Sequence, residues 1–304
     1  MSEAYFINGM GWLADFPSNK DLTREAREVP EPAQQAGAAV PVAELVERAG
    51  VPAGPAPAAA RVDLREWCSP VEDQGSIGSC TANAAVGMFE YFQRRASGKN
   101  VELSRLFLYK VTRNLLHWEG DRGAFLRSAA GAMTLFGAPP EEYWPYEPER
   151  LDEEPPAFCY AFGQAFQALQ YYRLDPPNTS REKLLGEIKT HLTSGLCSMF
   201  GFTVHESIAQ GPDGGAIPYP ADGERVVGGH AVAAVGYDDA KEIRGKAAGA
   251  AETKGALLIR NSWGTGWGDQ GYGWLPYRYV LEGLAVDWWC LIKQEWVDTG
   301  QFGS

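Results

Sequence analysis

The chain has 304 residues, with 27 Lys+Arg against 39 Asp+Glu and a formal net charge of −12. Hydrophobic residues make up 45% and charged residues 22%, the balance of a soluble globular chain long enough for one large domain or two lobes with a real core. The acidity, with no Lys/Arg run longer than two, argues against nucleic acid or an anionic membrane as a partner, and no window approaches the roughly 18 apolar residues of a spanning helix.

The first 26 residues hold an aromatic cluster, Tyr5, Phe6, Met10, Trp12, Leu13 and Phe16, expected to pack against something. They lack a basic stretch followed by an apolar core, so no secretory signal is read. Residues 27–61 interleave Pro30, Pro32, Pro41, Pro52, Pro55 and Pro57 with Ala and Gly, which reads as a linker with one short helix at Val42–Arg48. Residues 1–60 are thus expected to be an extension, and the body starts near Arg61.

Within the body, a Gly/Ser-rich turn, Gln74-Gly75-Ser76-Ile77-Gly78-Ser79, ends in Cys80-Thr81. A long apolar run follows, enough for a buried helix, with Arg94-Arg95 suited to its negative pole. Cys80 then lies at a helix N-terminus, where free N–H groups and the dipole favour thiolate, so its pKa is expected to fall. Ser104 caps a second helix through Leu115, and residues 124–136 form a third, ended by Gly137. Residues 148–180 are expected to cross between lobes, and Ser180 caps a helix over 181–194. The pattern then turns to strands at Leu196–Val204, His230–Tyr237, Gly255–Arg260 and Gly271–Leu275, with 238–254 read as an exposed loop.

Three polar stretches accompany Cys80: Gln74, the segment Gly228-Gly229-His230-Ala231-Val232, and Arg260-Asn261-Ser262-Trp263-Gly264-Thr265-Gly266-Trp267-Gly268. A cysteine nucleophile needs an imidazole partner, and the imidazole needs an orienting group. Asn261 can accept from one ring nitrogen of His230 while the other faces Cys80. The Cys80 N–H and the Gln74 amide can supply donors for a developing oxyanion.

In that order these residues resemble the papain-like cysteine peptidases, over roughly residues 61–280. The matching text is Val62-Asp63-Leu64-Arg65, Pro70-Val71-Glu72-Asp73-Gln74-Gly75, Gly78-Ser79-Cys80, Gly229-His230-Ala231-Val232 and Asn261 through Gly268. The resemblance implies an α+β, papain-like two-lobe fold, with a helical lobe (61–172), a β-barrel-like lobe (173–304) and a cleft between them. It implies Cys80 as nucleophile, His230 as its partner, Asn261 as orienting group and Gln74 in the oxyanion hole. Trp263 would shield the His230–Asn261 contact, and Gly123 and Gly229 would meet substrate. Trp144-Pro145-Tyr146 resembles a structural motif of the helical lobe. Gly201, Gly228 and Gly229 suggest a roomy side-chain pocket.

The chain departs from the family at Ile77, where a disulfide cysteine is usual, and at Thr81, where an aromatic is usual. The gap from His230 to Asn261 is longer than the family's spacing, and the helical motif of animal and plant propeptides is not evident in 1–60. These features point to a bacterial or other microbial branch. The expected activity is peptide hydrolysis through an acyl-thioenzyme, with 1–60 as an inhibitory or folding-assisting pro-segment, the alternative being a structural strap packed on the β-rich lobe. The alternatives are a catalytically silent papain-like binding module and a Cys-His transpeptidase or amidase. The expected partner is a peptide or protein substrate, for a monomer that needs no cofactor.

Five cysteines, odd in number and scattered, do not form a disulfide framework, and no CxxC or HxxC pair suggests a metal. Free thiols and the missing signal suggest the cytoplasm, or export without a recognisable signal. Cys68, Cys159, Cys197 and Cys290 are read as buried thiols, and His117, His191 and His205 as filler. Glu90 is read as a buried structural carboxylate, and Trp267 and Trp274 as turn packing.

Overall fold

In the computed structural model, residues 9–54, 59–168, 170–209, 213–245 and 251–303 are described. The apolar run after Cys80 forms helix α3 (Cys80–Ser97), preceded in the chain by α1 (Glu31–Gln35) and α2 (Val42–Arg48) and by strand β1 (Arg61–Asp63). Every residue of α3 from Cys80 to Phe92 is buried, because the helix packs on α4 (Arg105–Leu115), α5 (Leu126–Leu135) and the sheet at once. Ser104 caps α4 by accepting from the Phe107 N–H at 3.1 Å.

The region expected to be a plain crossover contains α6 (Ala157–Gly163) and strand β2 (Gln170–Arg173). Helix α7 (Arg181–Thr193) follows its predicted cap, with Ser180 Oγ accepting from the Lys183 N–H at 3.2 Å. Then come β3 (Ser198–His205), α8 (Glu206–Ala209), β4 (Val226–Arg244), β5 (Glu252–Arg260), β6 (Tyr272–Pro276), α9 (Tyr277–Leu281), β7 (Ala285–Ile292) and α10 (Gln294–Val297). The strands form one antiparallel sheet in the order β2-β7-β3-β4-β5-β6, with β1 added to β4. The ends of that order, β2 and β6, are not paired with each other among the described residues.

Two expectations need correcting. Residues 238–254 are not a loop: β4 and β5 continue as a hairpin, pairing Glu242 with Lys254, Ile243 with Thr253 and Arg244 with Glu252. The break in ladder register between Asp238 and Glu242 hides the strand period, and residues 246–250 lie outside the described residues. The Pro/Ala-rich stretch is not a free linker either. Helix α2 buries Val42, Leu45 and Val46 against the body, in contact with α10 and β2. Pro55 and Pro57 lie outside the described residues.

Glu90 joins the two halves from inside α3. It accepts from Ser69 Oγ at 2.5 Å and from the Leu103 N–H at 2.9 Å, near the Arg260 guanidinium. Burial outweighs the Arg260 charge and pushes its pKa up to about 7. A raised carboxyl pKa favours the folded state at low pH, and that contribution is lost as pH rises from 4.5 through about 7. Glu90→Gln, which stays neutral, should therefore gain in melting temperature relative to the parent chain across this window and level off above it. Thermal denaturation from pH 4 to 8 reads the difference, and a flat difference would show that Glu90 does not titrate there.

Candidate active site

The loop before α3 is braced from both lobes. The Gln74 N–H donates to the Ser262 carbonyl at 2.8 Å, and Ser262 Oγ donates to Gln74 Oε1 at 2.6 Å. Tyr146 Oη donates to the Gln74 carbonyl at 2.9 Å and lies 2.6 Å from Ser79 Oγ. Tyr146, in the segment read as a structural motif, thus ties the helical lobe to the turn. The Gly78 N–H is held by the Asp121 carboxylate at 2.9 Å. These bonds leave the Gln74 Nε2 amide pointing to the Ile77 carbonyl (2.9 Å) and outward to a second acceptor.

The facing wall comes from β4 and β5. Their register pairs Ala233 with Arg260, which brings His230 on β4 beside Asn261 just past the end of β5. His230 Nε2 lies 2.7 Å from Asn261 Oδ1, which also accepts from the Ser262 N–H at 2.8 Å. An acceptor there sets the proton on Nε2 and leaves Nδ1, which has no hydrogen-bond partner, with its lone pair. Trp263 stacks on the imidazole at 4.4 Å between ring centroids, and Trp267 meets Trp263 edge-on at 5.6 Å. The Ala231 N–H, next to His230, points at the Cys80 thiol. Cys80, His230, Asn261 and Gln74 are thus brought to one place.

A strand from the chain's own start fills that place. The Gly9 N–H donates to the Gly75 carbonyl at 3.0 Å, and Gln74 Nε2 donates to the Gly9 carbonyl at 2.6 Å. The Gly11 N–H points at the Cys80 thiol. The Ala124 N–H donates to the Gly11 carbonyl at 2.8 Å, and the Leu13 N–H donates to the Ala124 carbonyl at 3.1 Å, so Trp12 and Ala124 form a parallel bridge. A Cβ at Gly11 would overlap the Gly78 backbone, and one at Gly123 would overlap Gly11. Gly123, at φ +71, has a conformation as well as a contact that only glycine meets easily. Its own N–H is taken by Tyr109 Oη at 3.0 Å, so Ala124 rather than Gly123 supplies the main-chain pairing.

Trp12 occupies the expected side-chain pocket. Its indole lies where side chains at Gly201 and Gly229 would be, and Met10 packs over Gly228. The indole Nε1 donates to Asp287 Oδ2 at 3.0 Å. Asp287 is fully buried at φ +64 and also receives Trp289 Nε1 at 2.7 Å, with Arg173 Nη1 at 3.2 Å. Burial is the largest influence on its carboxyl and pushes the pKa up to about 6. Of the predicted aromatic cluster, Leu13 and Phe16 remain exposed, and Tyr5 and Phe6 lie outside the described residues.

The filling strand reverses one expectation. Desolvation pushes the Cys80 thiol up to about 11, against the pull of the N–H groups of Ala231, Gly11, Thr81 and Cys80 itself. Desolvation likewise drives His230 down to about 4. The dipole argument is not wrong in sign, but the loss of water is larger, and the pair rests neutral.

Sequence reasoning missed Ala124, Ser262 and Asp287. Ala124 was signalled by its place after Gly123. Asp287 carries no sequence signal, because only the fold brings β7 under the pocket. Among the described residues no cluster of His, Cys, Asp and Glu could hold a metal, and no helix is long and apolar enough to cross a membrane.

Comparisons with known proteins agree with this geometry. The profile of the papain family cysteine proteases matches residues 58–282. An uncharacterized peptidase C1-like protein of Acanthamoeba polyphaga mimivirus is 33% identical over 225 residues, covering 72% of this chain and 68% of that protein. Cathepsin K of Gallus gallus is 28% identical, over 71% of this chain and 58% of its own length, so the chain spans little more than half of that relative. Among solved structures, xylellain, a cysteine protease from Xylella fastidiosa, superposes with a TM-score of 0.68 at 27% identity, covering 93% of this chain and 96% of that one. Digestive procathepsin L 3 of Tenebrio molitor superposes at 0.60 with 20% identity, a likeness of fold. From its two-lobe α+β architecture to the matched profile, this chain belongs to the papain family of cysteine proteases.

Proposed function

We propose that the chain is a cysteine peptidase that hydrolyses peptide bonds through an acyl-thioenzyme, and that residues 9–13 hold it inactive. The observation that carries this reading is the Gln74 amide donating to a peptide carbonyl, Gly9, beside a thiol and an Asn-oriented imidazole. Such an amide is what a tetrahedral oxyanion would meet. Mutual coverage above 90% with xylellain supports a bacterial branch. Five buried, free thiols support a reducing, cytoplasmic setting.

With the strand gone and water admitted, His230 Nδ1 takes the Cys80 proton. The thiolate attacks the substrate carbonyl carbon, and the oxyanion accepts from Gln74 Nε2 and the Cys80 N–H. The imidazolium then protonates the leaving amine, and water, deprotonated by His230, hydrolyses the thioester. Asn261 keeps the imidazole in the tautomer this needs, and Trp263 keeps water from their contact.

At Gly11 the resting strand turns its N–H, not its carbonyl, to the thiol, and the Gly11 carbonyl is turned to Ala124.

Replacing Trp12 by Ala removes an indole and its bond to Asp287, worth about 3 kcal/mol of docking. Trp12→Ala in the full chain should raise turnover of a fluorogenic peptide about a hundredfold, and adding Cys80→Ala should abolish it without lowering the melting temperature. An unchanged rate in Trp12→Ala would make the strand a bystander. Alkylation gives a second check. In the parent chain the rate of iodoacetamide addition to Cys80 should still be climbing at pH 10, whereas Gly11→Val, whose Cβ cannot fit over Gly78, should reach its plateau at lower pH.

A further inference from the structure

The extension is fastened to the cleft by charge as well as by Trp12. Arg127, in the first turn of α5 three residues past Ala124, is the centre of that fastening. Its Nη1 donates to Asp15 Oδ2 at 2.5 Å, and its Nη2 donates to the Phe16 carbonyl at 3.0 Å and to Asp21 Oδ2 at 2.9 Å. All three acceptors belong to the extension. Its buried Nε has no acceptor at all. When the extension leaves, the guanidinium loses each of these partners.

The body also holds it from another side. The guanidinium lies over the Trp289 ring, 5.5 Å from the centroid, and Trp289 is anchored through its own Nε1 to Asp287 beneath the pocket. The neighbouring Arg173 also meets the extension, at the Asp15 carbonyl (3.1 Å) and Asp21 (3.6 Å), but does not depend on it for its carboxylates. It keeps Asp175 at 2.8 Å and Asp287 at 3.2 Å, both from the body. Arg127 is therefore a cation whose acceptors, among the described residues, all leave with the extension, and it is 29% exposed even with the extension in place. A planar fork held on an aromatic face suits a carboxylate better than any neutral group.

The blocking strand also gives the spacing. Gly11 lies over the thiol, Trp12 fills the pocket, and Asp15 reaches Arg127 farther along the cleft. We propose that Arg127 is a substrate-reading subsite of the opened enzyme. It takes an acidic side chain that lies beyond the pocket-filling residue as seen from Cys80. The proposal rests on the peptidase reading above and names the substrate class for that cleft: peptides with a bulky residue in the pocket and a carboxylate two to four residues farther from the scissile bond. Distance along the cleft is what the subsites read, so a substrate strand of either direction can satisfy both.

The test uses the full-length chain carrying Gly11→Val, to expel the strand from the cleft, and Asp15→Ala with Asp21→Ala, to remove both carboxylates that hold the guanidinium. Fluorogenic peptides share a Trp for the pocket and carry Asp, Asn or Lys at each of the three farther positions. The Asp peptide at one position should show kcat/KM about fivefold or more above its Asn isostere, with Lys poorest. Arg127→Gln in the same background should bring the Asp/Asn ratio to one, Arg127→Lys should restore part of it, and Arg127→Glu should turn the preference to Lys. Should these variants fold poorly, 0.5 M salt added to the Arg127 enzyme should collapse the ratio by screening. Equal cleavage of Asp and Asn peptides at every position overturns the inference and leaves the peptidase reading standing. No cleavage of any peptide, with no epoxide adduct at Cys80 by intact mass, overturns both.

Discussion

Water is kept from the Cys80 thiol by one strand, residues 9–13, and the electrostatics of the whole site follow from that exclusion. A helix N-terminus and four converging N–H groups all favour a thiolate, yet the thiol stands near 11 and the imidazole near 4. In a dry cleft, two opposite charges side by side cost more to desolvate than these dipoles return. The neutral and ionised pairs hold the same number of protons. Opening the cleft therefore converts one into the other without needing a change of pH, and the switch is the admission of water.

That exclusion depends on backbone-to-backbone approach, which side chains would prevent. Gly9 and Gly11 lie directly on the Ser76–Gly78 turn, and Gly123 lies on Gly11. The same device gives the pocket its width, since Gly201 and Gly229 leave room for a whole indole. Glycine is used here on both partners, on the wall and on the strand that fits it. A Cβ on either side would wedge the layers apart.

The extension is held by separate kinds of force along its length. Near the thiol they are main-chain hydrogen bonds, to Gly75, Gln74 and Ala124. Farther along they are ion pairs, Asp15 and Asp21 with Arg127 and Arg24 with Glu187 at 2.5 Å. Beyond those, α2 contributes an apolar face of Val42, Leu45 and Val46. The apolar and main-chain parts are indifferent to salt, while the ionic middle is not. The part that reads substrate charge and the part that fastens the extension are the same guanidinium.

Much of this was written locally. Cys80 at the mouth of an apolar run, His230 after two glycines, Asn261 with Trp263 at a strand end, and Gln74 before the turn each carry a short-range signal, and helices with a clear cap, such as those after Ser104 and Ser180, began where their caps stand. The hairpin beyond Asp238 escaped because a ladder irregularity breaks the alternation that marks a strand. The short helix α1 and the packing of α2 escaped because Pro and Ala look the same in a tether and in a docked segment. What the linear order of residues determined was the chemistry available: which groups could attack, orient and stabilise. Only the tertiary structure decided the state of that chemistry. Protonation depends on water, and access to water was settled by residues 9–13, which lie far from His230 and Asn261 in the chain and meet them only after folding.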